Sequence, residues 1–242
     1  MFDAIINFFV KNSDTILLYS LKIPAVFIAL TIHEFAHSVV AYLLGDPTAK
    51  EEGRLSLNPF KHFDPVGAVC LYLFQIGWAK PVSTNAKNFK NERVGIVLTS
   101  LSGPIANIIT FIICLAFMNV LAGIMYLVQG TLAFTLLAYV LLLTELVALY
   151  NFALGFFNLF PIFPLDASRA LMAVLPKRIS KPIVRYNIFI SIGFIALLII
   201  DRFTLQFVSS TIGFVFNYLG NSVFLPFFEK IVINIMLLFK LV

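Results

Sequence analysis

The chain has 242 residues, 60% of them hydrophobic and only 12% charged, with a formal net charge of +5. Soluble domains are about 45–50% apolar and about 25% charged, so an ordinary water-soluble protein is excluded, and the mean hydropathy of +0.97 points to lipid. The positives cluster in two polar stretches, Lys50 to Arg93 and Arg169 to Arg185, without the interleaved aromatic platform of a nucleic-acid binder, so no nucleic-acid partner is expected.

In chain order, MFDAIINFFV carries an acid where a secretory leader has its basic region, so no cleaved leader is expected. A first apolar segment runs from about Asp14 to Leu44 and stops at Gly45-Asp46-Pro47, a helix-stop signal. Pro24 lies inside it as a candidate kink or break. From Asp46 to Arg93 turn residues (Asn58-Pro59, Asp64-Pro65, Lys80-Pro81) surround the apolar run Val66 to Ala79. That run is short for a span and suits a re-entrant or interfacial segment, with a β-hairpin as one form. Strong spans follow at Val94 to Phe117 and Leu132 to Phe157, joined by an uncharged linker from Asn119 to Thr131. A fourth is expected over Tyr186 to Ile200, with Asp201-Arg202 at its outer end. The apolar tail from Phe203 has room for one or two more.

The expected fold is therefore an all-α polytopic membrane protein of about five to six transmembrane helices, with a small re-entrant or β segment in the first cytoplasmic loop. It forms one integral domain over 1–242, a core of about 14–171 followed by apolar helices of about 183–242. The hairpin of the second and third spans returns both basic stretches to one side, and the positive-inside rule makes that side cytoplasmic. The expected location is the plasma (inner) membrane, with lipid as surroundings. Cys70 and Cys114, both in apolar segments, read as buried free thiols.

Chemistry concentrates in the first long helix, at His33-Glu34-Phe35-Ala36-His37. Helical residues four apart share a face, so His33 and His37 can grip one Zn²⁺ while Glu34 stands beside it as acid/base. Ionisable residues at membrane depth are costly and mark functional sites. A hydrolytic zinc site needs a third protein ligand, and the candidate is Asp166, after Asn158-Leu-Phe-Pro161-Ile-Phe-Pro164. Two prolines end a helix and would hold that chain extended, aiming the carboxylate back into a bundle. Asp166 as an interfacial charge near Arg169 is the other reading. His62 reads as a loop-ordering residue or a substitute metal contact, Asn107 as structural or near-site. Glu145 needs a partner or a wet cavity, and Trp78 reads as an interfacial anchor.

These pieces resemble the site-2 protease family of intramembrane metalloproteases in order and spacing: the His-Glu-Phe-Ala-His motif, Gly53-Arg54-Leu55-Ser56-Leu57-Asn58-Pro59, Gly77-Trp78-Ala79-Lys80-Pro81-Val82, Ser102-Gly103-Pro104-Ile105-Ala106-Asn107 and Asn158 to Asp166. The resemblance covers roughly Thr31 to Leu171 and is that of a compact member without PDZ or nucleotide-sensing domains. It implies His33, His37 and Asp166 as zinc ligands and Glu34 as catalytic acid/base. It also implies that Asn158 polarises the scissile carbonyl or holds the substrate, and that the partners are membrane-spanning helices cut near or within the bilayer. Such a substrate helix must unwind, and pairing with an extended edge around Val66 to Ala79 would present it as a strand. One departure stands out: the family usually has glycine after the ligand aspartate, where this chain has Ala167. The alternatives are a catalytically inactive protease-like protein that binds transmembrane helices, for which Ala167 is the warning sign, and a membrane zinc-binding or transport protein.

Overall fold

A computed structural model describes residues 15–67 and 79–203, together with 210, 211 and 214. Three long helices dominate. Helix α1 spans Thr15–Leu43, and the one-turn α2 spans Thr48–Glu51. Two further single turns, Pro59–Lys61 and Ala86–Asn88, are 3₁₀. Helix α3 runs Glu92–Leu127, α4 Leu132–Asn158, α5 Asp166–Val174, α6 Lys177–Arg185 and α7 Asn187–Phe203. No strand occurs among the described residues.

Helix α1 passes Pro24 without a break, because a single proline removes one backbone bond while its flanking turns stay intact. Helix α3 extends ten residues beyond the expected end at Phe117, taking up most of the presumed linker. The stretch Asn119 to Leu127 contains no breaker stronger than Gly123, and the one polar side chain entering it is satisfied internally, Asn119 donating to the Leu115 carbonyl at 2.8 Å. The turn is made where the chain needs positive φ, at Gly130 (φ 75°).

Three helices are long and apolar enough to cross a bilayer, α1 over Ser20–Leu43, α3 and α4. A fourth span exists if α6 and the start of α7, bent by 60°, are counted as one. The expected five to six spans are thus reduced to three or four among the described residues. Further spans in the C-terminal tail, and the re-entrant or β segment, fall almost wholly outside the described residues, as do Cys70 and Trp78.

An exposed apolar stripe compatible with a lipid environment runs along α3. Val94, Leu98, Ile105, Ile109, Ile113, Phe117, Val120 and Ile124 recur at three-, four- and seven-residue intervals, and each is 42% exposed or more. A continuous exposed stripe of large aliphatic side chains is costly in water and neutral against acyl chains.

The chain divides into two compact units. One gathers the start of α1 with Ile109–Phe152, around buried Phe111, Leu115, Met125 and Leu141, with Phe111 tilted against Phe152 at 5.0 Å between ring centroids. It holds buried Cys114, a free thiol, and half-buried Glu145. The other comprises Ile28–Ile108 and Ala153–Thr211 and holds every polar group discussed next.

In that second unit a short polar hub organises the loops. Gly45, at φ 104°, closes α1 in the left-handed conformation that glycine adopts freely. Asp46, fully buried, then accepts from Thr48 N (3.2 Å), Thr48 Oγ1 (2.5 Å), Asn85 N (2.6 Å) and Asn88 Nδ2 (2.8 Å). Burial alone would raise this carboxyl, but the four donors take it below its ordinary value. The hub ties the end of α1 to residues 85–88 and so fixes the course of 79–84. Buried Arg54 donates from Nη1 to the Lys61 carbonyl, and Ser38 on α1 donates to the Arg54 carbonyl at 3.2 Å.

Candidate metal centre

His33 and His37 face the same way from α1, one turn apart, with ring centroids 4.7 Å apart and planes at 90°. Both are buried. Asp166, the first residue of α5, faces them: its Oδ2 lies 2.9 Å from His33 Nε2 and 3.3 Å from His37 Nε2, and the two Nε2 atoms are 3.1 Å apart. The carboxylate is therefore turned into the site rather than toward Arg169. The seven residues before it do not run extended as expected. They fold into turns, with Ile162 N bonded to Phe160 O and Leu165 N to Ile162 O, and the helix that starts at Asp166 sets the direction of the carboxylate.

The outer nitrogens of both rings settle their tautomers. His33 Nδ1 lies 2.8 Å from Oδ1 of Asn107, whose Nδ2 donates to the Ala29 carbonyl at 3.2 Å. The amide is thereby oriented, and its oxygen can only accept. His37 Nδ1 lies 2.7 Å from the Thr99 carbonyl oxygen, likewise an acceptor, with Ser102 Oγ 3.3 Å away. Each ring thus donates from Nδ1 and turns an Nε2 lone pair toward the other ring and toward Asp166 Oδ2. Three lone-pair donors converging in a buried space repel one another unless a cation sits between them.

The donor set fits zinc. Tetrahedral zinc with bonds of about 2.0–2.1 Å spaces its ligand atoms about 3.3 Å apart, and the three observed separations run from 2.9 to 3.3 Å. The Asn107 and Thr99 acceptors behind the rings are the outer partners that metal-ligating histidines characteristically use. These three residues form a group able to hold a metal ion.

Glu34 lies beside this group. Its Oε2 accepts from the Val82 backbone N–H at 3.1 Å, so the segment after Lys80-Pro81 is stitched to the His33 to His37 motif. Glu34, His37, Pro81, Val82, Thr84, Thr99, Ser100, Asp166 and Arg169 line one cavity, and Arg169 reaches across it to Thr84 Oγ1 at 3.3 Å.

The remaining expectations divide. Asn107 is a near-site residue. His62 is structural: its Nε2 lies 2.8 Å from the Ser56 carbonyl, its own carbonyl accepts from Lys80 N at 2.9 Å, and its buried Nδ1 has no partner among the described residues. Asn158 ends α4 and donates to the Leu154 carbonyl at 2.9 Å, which places its amide on its own helix and outside the cavity lining. Ala167 lies in the first turn of α5 in ordinary helical conformation, so this position does not need a glycine's positive φ.

A Cβ built on Gly103 would lie 2.6 Å from His37 Cε1 and Nε2 and 2.8 Å from His33 Cε1. The glycine's service is to let α3 approach both imidazoles. Gly155 does the same between helices, where a Cβ would meet the Pro104 carbonyl at 3.0 Å and Asn107 Cβ at 3.1 Å.

Two imidazoles, one carboxylate and an adjacent glutamate make the donor set of a mononuclear zinc hydrolase. The chain is 35% identical over 176 residues to a Bacillus subtilis protein named "Putative zinc metalloprotease YwhC", an alignment covering 72% of this chain and 76% of that one. The chain belongs to that zinc metalloprotease family, and its cofactor is Zn²⁺. No family model matches the sequence, and no solved structure matches it.

Proposed function

We propose that this metalloprotease is of the site-2 type and cleaves membrane-spanning helices within the bilayer, with His33, His37 and Asp166 as zinc ligands and Glu34 as acid/base. The observation that carries this reading is where the convergent group stands: His33 lies thirteen residues from Ser20 and ten from Leu43, in the middle of a candidate span. At 1.5 Å per residue that is about 15 Å from the nearer end, well inside a hydrocarbon layer of about 30 Å.

Zinc held here would supply Lewis-acid polarisation and would bring the pKa of water toward neutrality. The chain's own residues do the rest. Asn107 and the Thr99 carbonyl keep His33 and His37 as neutral Nδ1–H tautomers, so that both Nε2 atoms present lone pairs. Asp166 adds negative charge and stays ionised. Glu34, with Oε2 engaged by Val82 N–H, takes a proton from the attacking water on its other oxygen. It passes that proton to the departing amine nitrogen as the C–N bond breaks and the acyl carbon gains a hydroxyl oxygen. Arg169, at the rim, is placed to bind carbonyl oxygens of an unwound substrate.

Ala167, sitting helically, gives no support to an inactive, binding-only protein. Nor do ligands clustered at one level suit a carrier, which needs them at successive depths. Cleavage of a membrane-inserted helix by the purified chain in proteoliposomes tests the reading. The wild type is expected to cut and Glu34→Gln to leave the substrate whole; equal cutting by both would contradict it.

A further inference from the structure

Between Ala167 and Ile200 there are five cations, Arg169, Lys177, Arg178, Lys181 and Arg185, and no acid. Four of the five fall in the nine residues of α6, Lys177–Arg185. At about 100° per residue, Lys177, Lys181, Arg185 and Arg178 fall within an arc of about 100°, while Ile179 and Ile183 lie on the opposite side. All four cations are exposed. Among the described residues none of them meets a carboxylate. One helix face is thus a row of positive charge that no acid among the described residues compensates.

What such a face fits follows from its neighbours. Helix α6 turns by 60° into α7, and the opening turns of α7 leave Ile188, Phe189 and Ile192 60%, 69% and 61% exposed. If α7 crosses the hydrocarbon, α6 leaves its end at a steep angle, closer to the bilayer plane. The isoleucine side, with Ile179 51% exposed, is then free to enter the acyl boundary while the cations stay at headgroup level, the geometry of an interfacial amphipathic helix. An acidic protein partner would use the charges but leave the isoleucine side unexplained.

We infer that α6 is a docking helix for anionic phospholipid headgroups. The inference rests on the membrane reading of the chain but not on its protease activity. It also gives α5 a fixed neighbour, since only Leu175 and Pro176 separate α6 from the helix that begins at Asp166.

The test is lipid retention by the full-length protein in native mass spectrometry, after delipidation and incubation with equal phosphatidylglycerol and phosphatidylcholine. The wild type should retain phosphatidylglycerol preferentially. Replacing Lys177, Arg178, Lys181 and Arg185 together by glutamine should lower that preference about tenfold or more. An equal charge change elsewhere, Lys61, Lys87, Lys90 and Arg93 to glutamine, should leave it in place. Zinc per chain reports that each variant is folded, and single substitutions Lys181→Gln and Arg185→Gln should give graded losses if the fourfold variant fails to fold. Equal losses in the two fourfold variants, or no loss in either, would overturn the proposal. So would release of the lipid by millimolar inorganic phosphate, which marks a site for free anions. Retention of neither lipid would instead contradict the membrane reading on which it rests.

Discussion

His33 donates through Nδ1–H to Oδ1 of Asn107 at 2.8 Å, and this bond decides which nitrogen of the ring is left for a metal. The amide cannot turn around, because its Nδ2 is held on the Ala29 carbonyl. Asn107→Ala is therefore expected to free the imidazole and weaken zinc about 10–100-fold, the usual effect of losing such an outer partner. Asn107→Asp, which keeps an acceptor, should retain most of the affinity. A chelator competition titration on the purified proteins measures both.

Gly103→Ala puts a methyl group 2.6 Å from His37 Nε2. Overpacking of this kind costs about 1–3 kcal/mol, and here the groups that must yield are the proposed ligands. The expected outcome is a folded helical protein whose zinc affinity drops about 10–100-fold. Gly193→Ala, where nothing lies within 4 Å, is the control and should bind zinc normally. Equal affinity in both variants would mean that the approach of α3 does not set the imidazoles.

Glu34→Gln keeps the size and the acceptor that Val82 N–H engages but removes the base. Zinc per chain should be unchanged while turnover falls by about 10²–10⁴, the range attributed to positioned acid–base groups. A glutamine variant that kept its rate would move the proton to another group.

Asp46 supplies a pH dependence of stability. Its carboxyl is held in the folded chain below its ordinary value of 3.8, so its contribution is fully present above that value and is lost as the pH falls through and below it. Asp46→Asn should lower stability by about 1–3 kcal/mol at neutral pH, through weakened hydrogen bonds to a buried group. The gap between the two proteins should narrow as the pH falls below the unfolded value. Thermal unfolding in detergent at neutral pH and near pH 3 reads this.

The paired histidines were legible because helix periodicity is local: His33 and His37, four apart, must share a face of α1 whatever the rest of the chain does. Asp166 needed either the family resemblance or the fold, since turns between α4 and α5, and not an extended run, aim it. The service of Asn107 was only half legible, because a polar residue in a span does not name its partner. Gly103 was legible only as one residue of the Ser102 to Asn107 motif, since a close approach between α1 and α3 leaves no periodic trace in either. The Thr99 carbonyl and the Val82 N–H were invisible, being backbone atoms whose residue types carry no signal. The length of α3 was underestimated because Asn119 satisfies itself on Leu115 instead of opening a loop.

Zinc bound per chain, measured on protein purified in detergent and compared with His33→Ala and Asp166→Ala, tests the central claim most directly. The expected result is about one zinc in the wild type and loss of it in both variants. Zinc retained without Asp166 would contradict the three-ligand centre, and wild type carrying no zinc would contradict the metalloprotease account itself.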